Sequence, residues 1–369
     1  MEKELRVIVS GGGTGGHIFP AISIANAIKA KHPEAKILFI GALGRMEMQR
    51  VPQAGYEIKG LPVKGLVRPL YSLKNIIVGI DFLRSKFMAK RIVRKFKPDV
   101  AVGVGGYASA AALDAAQALG VPCLIQEQNS YAGKTNKLLA NGAKKICVAY
   151  NGMERFFPAD KIIMTGNPVR QNVVNDNISK QEARKKFGLD PDKKTILLVG
   201  GSLGARTIND SMRLHLKEVK DANVQFIWQT GKYYNAEMNK AVSDFGEIPN
   251  LKVLDFITDM GAAYNAADLV ISRAGASSIS EFCLIGKPVI LVPSPNVAED
   301  HQTKNAMALV NKDAAIYVKD AEAPEVLLKR ALTIVNDDEK LKSLNENIKK
   351  LGLPNSADVI ADEVLKLVR

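Results

Sequence analysis

Cysteine, histidine and aromatic residues are scarce in this chain. Of its 369 residues three are cysteine, four histidine and one tryptophan, and 6% are aromatic. Cys123, Cys147 and Cys283 stand far apart in apolar contexts, without metal-type or redox spacing. A disulfide framework is therefore excluded, and the three read as small core residues in a reducing compartment. His17, His32, His215 and His301 show no ligand spacing, so neither a metal site nor a cofactor is expected. No apolar run approaches the roughly 20 residues that a membrane span needs. The opening Met1-Glu2-Lys3-Glu4 lacks the pattern of a signal peptide. The expectation is a cytoplasmic protein whose membrane contact is peripheral. Acidic residues are short as well: 38 Asp+Glu against 51 Lys+Arg give a formal net charge of +13. That excess points to an anionic partner, whether nucleic acid, a phosphorylated substrate or an acidic membrane surface.

What is present is a regular alternation of apolar runs and helical patterns, the mark of parallel α/β architecture. In the first half the predicted strands are 5–9, 37–40, 100–104, 123–126 and 145–148; in the second they are 195–199, 224–229, 252–256, 269–272 and 289–292. Each half opens with a strand that runs into glycines, first Gly11–Gly16, then Gly200-Gly201-Ser202-Leu203-Gly204-Ala205-Arg206. The chain reads as two doubly wound, Rossmann-like domains facing across a cleft, with a hinge near Gly166 and Pro168. Ligands of such sheets bind outside the carboxyl ends of the strands, where these loops converge.

The first loop, Ser10-Gly11-Gly12-Gly13-Thr14-Gly15-Gly16-His17, is the arrangement that brings backbone N–H groups and a helix N-terminus up to an anion. It satisfies the dinucleotide fingerprint formally, but the second strand ends Ile40-Gly41-Ala42-Leu43 without the carboxylate that would hold a ribose. A dehydrogenase is thereby disfavoured. Gly133-Lys134-Thr135 lacks the earlier glycine of a phosphate-binding P-loop and reads as a helix start. Asp190-Pro191-Asp192 has a metal-binding spacing known in sugar transferases, yet it precedes a strand and so reads as a turn. Gly105-Gly106-Tyr107 is a further strand-to-helix loop, whose plain alternative is a tight turn packed beneath the first loop. Glu127, in Gln126-Glu127-Gln128-Asn129, suits a general base, a hydroxyl anchor or a structural acceptor. Arg273-Ala274-Gly275-Ala276-Ser277-Ser278-Ile279-Ser280-Glu281 opens a helix with small residues that leave room for a ligand. There Glu281 either accepts from ribose hydroxyls or is solvated one turn into a plain helix.

Between Lys64 and Lys97 ten basic residues face a single acid, Asp81, and alternate with Leu66, Leu70, Ile76, Ile77, Ile80, Leu83 and Phe87. Such a segment suits docking to an anionic bilayer, or else a helix with one face in the core. The aromatic and glycine pattern of a single-strand binder is missing, so no nucleic acid is expected.

Taken in order, Gly12–His17, Gly105-Gly106-Tyr107, Glu127-Gln128-Asn129, Gly166-Asn167-Pro168-Val169-Arg170, Gly200–Arg206, Arg273–Glu281 and Asp300-His301-Gln302 resemble the peptidoglycan glycosyltransferases that make lipid II from lipid I. The likeness covers essentially the whole chain. It implies a GT-B fold, with residues 1–166 as the lipid I and membrane domain, 167–350 binding UDP-N-acetylglucosamine, and 351–369 a helix crossing back. It further implies an inverting transfer to the C4 hydroxyl of the N-acetylmuramoyl unit, at the cytoplasmic face of the inner membrane. The backbone of Ile257 would contact uracil, Glu281 the ribose and Ser202 the diphosphate, with Asn129 and Arg170 at the cleft. Ala276, Ser277, Ser278, Ile279, Ser280 and Gln302 would line the sugar pocket, and Thr14, Gly15 and Gly16 would complete the site. His17 is the first choice of base, because an unperturbed imidazole titrates near neutrality, and Glu127 the second. Two positions depart from the pattern: Gln126 stands where some relatives have histidine, and Thr303 where some have glutamine. Another lipid acceptor, a UDP-sugar epimerase or a non-catalytic nucleotide-binding module are the alternatives.

Overall fold

The computed structural model describes residues 4–65, 74–169, 173 and 178–368. The chain divides after Val169 into two compact units, residues 1–169 with 353–369, and residues 170–352.

In unit 1 the strands are β1 (Arg6–Ser10), β2 (Lys36–Ala42), β3 (Glu57–Leu61), β4 (Val100–Gly103), β5 (Cys123–Glu127), β6 (Lys145–Val148) and β7 (Ile162–Met164). Among the described residues they form one parallel sheet in the order β3-β2-β1-β4-β5-β6-β7. The intervening helices are α1 (Gly15–Lys31), α2 (Glu47–Gln53), α3 (Lys74–Phe96), α4 (Tyr107–Ala118) and α5 (Lys134–Leu139). Val7, Ile8 and Val9 are wholly buried because helices cover both faces of the sheet, which is why the strands read as unbroken apolar runs. The strand order reverses between β1 and β4, so the loops after these two strands flank the switch point.

Unit 2 repeats the plan with β8 (Thr195–Val199), β9 (Gln225–Gln229), β10 (Leu251–Leu254), β11 (Leu269–Ser272), β12 (Val289–Leu291) and β13 (Ile316–Tyr317). Their order is β10-β9-β8-β11-β12-β13, and the reversal falls between β8 and β11. Its helices are α6 (Lys180–Lys186), α7 (Arg206–Arg213), α8 (Leu216–Asp221), α9 (Asn235–Phe245), α10 (Met260–Ala266), α11 (Ala276–Ile285), α12 (His301–Val310), α13 (Ala323–Val335) and α14 (Asp338–Lys349). The last helix, α15 (Ser356–Leu365), buries Ile360, Ala361 and Val364 in the unit 1 core and pairs Asp362 with Lys31 of α1 at 2.6 Å. At the amino end of the second sheet, Asp268 takes the Thr195 N–H at 2.7 Å and the buried Arg184 guanidinium at 2.6 Å. Burial pushes the Asp268 carboxyl up, but the hydrogen bonds from Lys180 and Thr195, with the charges of Lys180 and Arg184, hold it below its ordinary value.

The predicted strands all form, with ends displaced by at most a few residues. Three short strands, β3, β7 and β13, escape the sequence pattern. They lie at sheet edges, where one face is open and the apolar run shortens or alternates. All three cysteines are buried and free, and burial pushes each thiol up to about 12. Among the described residues no helix is long and apolar enough to cross a membrane.

The helix α3 separates the two readings of the basic stretch. Val78, Ala89 and Val93 are buried, whereas Ile76, Ile80, Leu83 and Phe87 are 52–76% exposed. Those four follow i, i+4, i+7, i+11 and so form one stripe along the helix. Leu66 and Leu70 lie outside the described residues.

Candidate active site

In unit 1 the loops after β1 and β4 are packed against each other, with Gly106 lying directly against the Gly12 backbone. A Cβ on Gly106, whose φ is +89°, would lie 2.5 Å from the Gly12 carbonyl oxygen, so glycine is required there. Val104 donates its N–H to the Ser10 carbonyl at 2.9 Å, which fixes the second loop under the first. Thr14 and Gly16 are exposed, and Gly15 begins α1. Thr14 makes no side-chain capping bond, so the first-turn N–H groups of α1 are not closed off by their own cap.

His17, in that first turn, is half-buried, and its ring lies over Gly105. Its Nδ1 sits 3.0 Å from the Gly12 carbonyl oxygen, a pairing in which the nitrogen must donate. A neutral ring held so carries its lone pair on Nε2.

The structure revises the role of Glu127. Its side chain is 2% exposed, and both oxygens act as acceptors: Oε1 from the Asn129 N–H at 3.0 Å, and Oε2 from the Gly133 N–H at 3.0 Å and Asn136 Nδ2 at 2.9 Å. A carboxylate so engaged organises the loop that presents Asn129. Of the three readings, structural acceptor is the one this geometry carries. Gln126 belongs to the same scaffold, donating to Asn167 Oδ1 at 2.8 Å.

In unit 2 the second glycine loop is closed in the same manner. A Cβ on Gly204, φ +88°, would fall 2.2 Å from the Thr230 carbonyl oxygen. Ser202 is exposed at the tip of this loop. Gln229 ties two loops together, donating to the Gly201 carbonyl at 3.1 Å and accepting from the Ile257 N–H at 2.9 Å. Ile257 is buried and its N–H is engaged by Gln229. Any backbone contact of Ile257 to a base therefore falls to its carbonyl.

Glu281 is 2% exposed, which removes the solvated reading. Its Oε2 accepts from Tyr264 Oη at 3.1 Å, and Tyr264 is packed edge-on against Phe282. The small residues before it divide between two roles. Ala276, Ser277 and Ser278 are half-buried in the first turn of α11, where Gly275 supplies no side-chain cap. Ile279 points into the core at 2% exposure, and Ser280 Oγ bonds the Ala276 carbonyl at 3.0 Å. Helical periodicity thus withdraws Ile279 from the group expected to line a sugar pocket.

The loop before α12 holds two successive left-handed residues, Glu299 (φ +57°) and Asp300 (φ +51°). Such residues cost about 1–3 kcal/mol each and gather at ligand sites. Gln302 Oε1 accepts from the Ser294 N–H at 2.9 Å, while Thr303 Oγ1 donates to Asp300 at 2.7 Å. Arg170 lies outside the described residues. Asp190 and Asp192 form the expected turn before β8, with the Asp192 N–H on Asp190 Oδ1 at 2.9 Å.

A residue the sequence reading passed over sits beneath the first loop. Glu47, the first residue of α2, is fully buried and accepts from the Gly13 N–H and the Ala42 N–H, both at 3.0 Å. A Cβ on Gly12 would fall 2.1 Å from Glu47 Oε1, and one on Gly41 2.7 Å from its Cγ. A carboxylate does follow β2, therefore, but it turns inward to the loop.

Comparison with known proteins agrees with this architecture. Residues 7–148 match the glycosyltransferase family 28 N-terminal domain, and residues 195–360 the glycosyltransferase family 28 C-terminal domain. A protein of Bacteroides thetaiotaomicron named UDP-N-acetylglucosamine--N-acetylmuramyl-(pentapeptide) pyrophosphoryl-undecaprenol N-acetylglucosamine transferase is 67% identical, over 100% of this chain and 99% of its own length. A protein of the same name from Porphyromonas gingivalis is 55% identical, over 99% of this chain and 96% of its own. The crystal structure of Acinetobacter baumannii MurG superposes with a TM-score of 0.78 at 28% identity, covering 98% of this chain and 99% of that one.

Proposed function

The chain belongs to glycosyltransferase family 28, and from that premise we infer that it transfers N-acetylglucosamine from UDP-N-acetylglucosamine to lipid I, giving lipid II for peptidoglycan synthesis. The observation that carries this is 67% identity over the full length to a relative named for that reaction. A putative UDP-N-acetylglucosamine 2-epimerase from Listeria monocytogenes shares the fold at a TM-score of 0.68, but at 13% identity that likeness extends to fold alone. The test is one assay with labelled UDP-N-acetylglucosamine and a lipid I analogue. Label in the lipid product supports the reading; label in an epimer of the sugar, free or UDP-linked, with none in the lipid would instead indicate an epimerase.

The donor belongs to unit 2 on our reading. Glu281, set by Tyr264, accepts from the ribose hydroxyls; the Ile257 carbonyl faces the base; the N–H groups around Ser202 and at the start of α11 meet the diphosphate. Preorganised N–H dipoles stabilise the charge that grows on the diphosphate as the glycosidic bond breaks. Gln302, whose Oε1 is held by the Ser294 N–H, is the residue assigned to a sugar hydroxyl through its amide NH2. In unit 1, Thr14, Gly15, Gly16 and Asn129 hold the acceptor, and His17 Nε2 takes the proton of the C4 hydroxyl as its oxygen attacks the anomeric carbon. UDP leaves from the opposite face. Activity is expected to persist in EDTA; loss of turnover with rescue by manganese would bring a metal into the mechanism.

The exposed stripe of α3 is read as the membrane contact, at the cytoplasmic face of the cell membrane. Apolar side chains enter the headgroup boundary while neighbouring cations meet anionic lipid. Lys86 is half withdrawn from that role, since its ammonium pairs with Asp114 at 2.9 Å, whereas Arg84 and Arg91 are exposed. Reversing the charge at Arg84 and Arg91 should weaken binding to vesicles containing an anionic phospholipid by about tenfold or more, at about 1 kcal/mol per charge. Phe87→Ser should weaken it further. Co-sedimentation unchanged in all three variants would leave α3 a plain core helix.

A further inference from the structure

The Gly12–Gly13 peptide carries two hydrogen bonds, one at each end. Its N–H points down to Glu47 Oε2 at 3.0 Å, and its carbonyl points up to His17 Nδ1 at 3.0 Å. A trans peptide holds N–H and C=O on opposite sides, so these two partners are joined through a single planar group.

We propose that Glu47 is a positioning residue for His17, acting through this peptide to hold the imidazole with its proton on Nδ1. The proposal rests on the reading of His17 as the base. A peptide between two glycines turns over with little steric hindrance. If it did so here, the Gly13 N–H would face His17, Nδ1 would have to accept, and the ring proton would move to Nε2. That tautomer has no lone pair for the acceptor hydroxyl. Glu47 forbids the flip, because both its oxygens act as acceptors and a carbonyl turned toward them would meet only repulsion. Its other oxygen is held by the Ala42 N–H at 3.0 Å, so the carboxylate cannot swing aside. Gly12 and Gly41 leave the room it occupies. Polarisation along carboxylate, peptide and imidazole strengthens each bond of the chain.

The tautomer is read by 15N NMR on enzyme labelled at histidine, with His17→Gln identifying the signal among four. In the wild-type protein, above the titration of the ring, His17 should show a pyrrole-type Nδ1 and a pyridine-type Nε2. An Nε2–H tautomer there would overturn the proposal without any variant. In Glu47→Gln the Ala42 N–H keeps the amide oxygen, so the NH2 faces the peptide, opposes the Gly13 N–H and favours the turned-over carbonyl. The Nδ1–H preference should then be lost and turnover should fall about 10–100-fold, within the range that general-base catalysis supplies, with little change in the donor Michaelis constant. Gly12→Ala, whose methyl would displace the carboxylate, should act alike. A Glu47→Gln enzyme that keeps the wild-type tautomer, whatever its rate, also overturns the proposal. If the tautomer shifts and turnover does not, Glu47 positions the ring as stated and it is His17 that is not the base.

Discussion

His17→Ala is expected to lower turnover by about 10²–10⁴-fold, the range that a positioned general base supplies, and to leave the Michaelis constant for UDP-N-acetylglucosamine almost unchanged. The asymmetry follows from where the residue sits. His17 belongs to the first turn of α1 in unit 1, held by the Gly12 carbonyl, whereas the donor contacts we assign lie on the loops of unit 2. Losing an interaction that operates only as the acceptor proton moves lowers kcat and kcat/KM together. The ring fills space over Gly105, so His17→Gln, which retains volume and polarity without imidazole basicity, should be as impaired as alanine. Steady-state kinetics with each substrate varied in turn decides the matter. Wild-type turnover in either variant would remove the base role from His17.

Glu281→Ala is expected to show the opposite pattern, a donor Michaelis constant raised about 10–100-fold with a smaller effect on kcat. Hydrogen bonds to a charged group contribute about 1.5–3 kcal/mol, and each 1.4 kcal/mol is tenfold in affinity. Glu281 is buried and fixed by the Tyr264 hydroxyl, so little ordering is left for the moment of binding. Because alanine would also leave a cavity and remove the acceptor that Tyr264 Oη holds, Glu281→Gln is the informative companion. It keeps the volume and offers an oxygen, yet loses the charge. Inhibition by UDP should weaken in parallel with the donor constant, since the ribose is common to both. A donor constant that does not move in either variant would take the ribose away from Glu281.

Glu127 and Glu281 show how differently two carboxylates can be legible in a sequence. Both were candidates because each follows a strand, and sequence alone left a structural alternative open for both. Burial decided each case, in opposite senses. Glu127 is surrounded by the N–H groups of its own loop, which fill its lone pairs. Glu281 accepts from Tyr264 on another helix, and the solvated alternative falls away. Glu47 was passed over because it lies five residues past β2 in a polar stretch that reads as a surface helix start. One partner, Ala42, is local, but the other, Gly13, lies 34 residues away in the loop after β1 and meets it only after the chain has folded. The same holds for Gln229, which engages the Ile257 N–H across two loops.

Two parallel sheets with glycine loops at their carboxyl ends were determined by the sequence itself, because buried strands read as apolar runs and glycine marks each close approach of backbone. The order of motifs along the chain likewise sufficed to indicate a sugar-nucleotide transferase. Which polar group faces a ligand and which one holds a loop was decided by tertiary structure alone. That choice depends on which donors the folded backbone turns toward a carboxylate, from its own loop for Glu127 and from another helix for Glu281, and a local pattern carries no record of it.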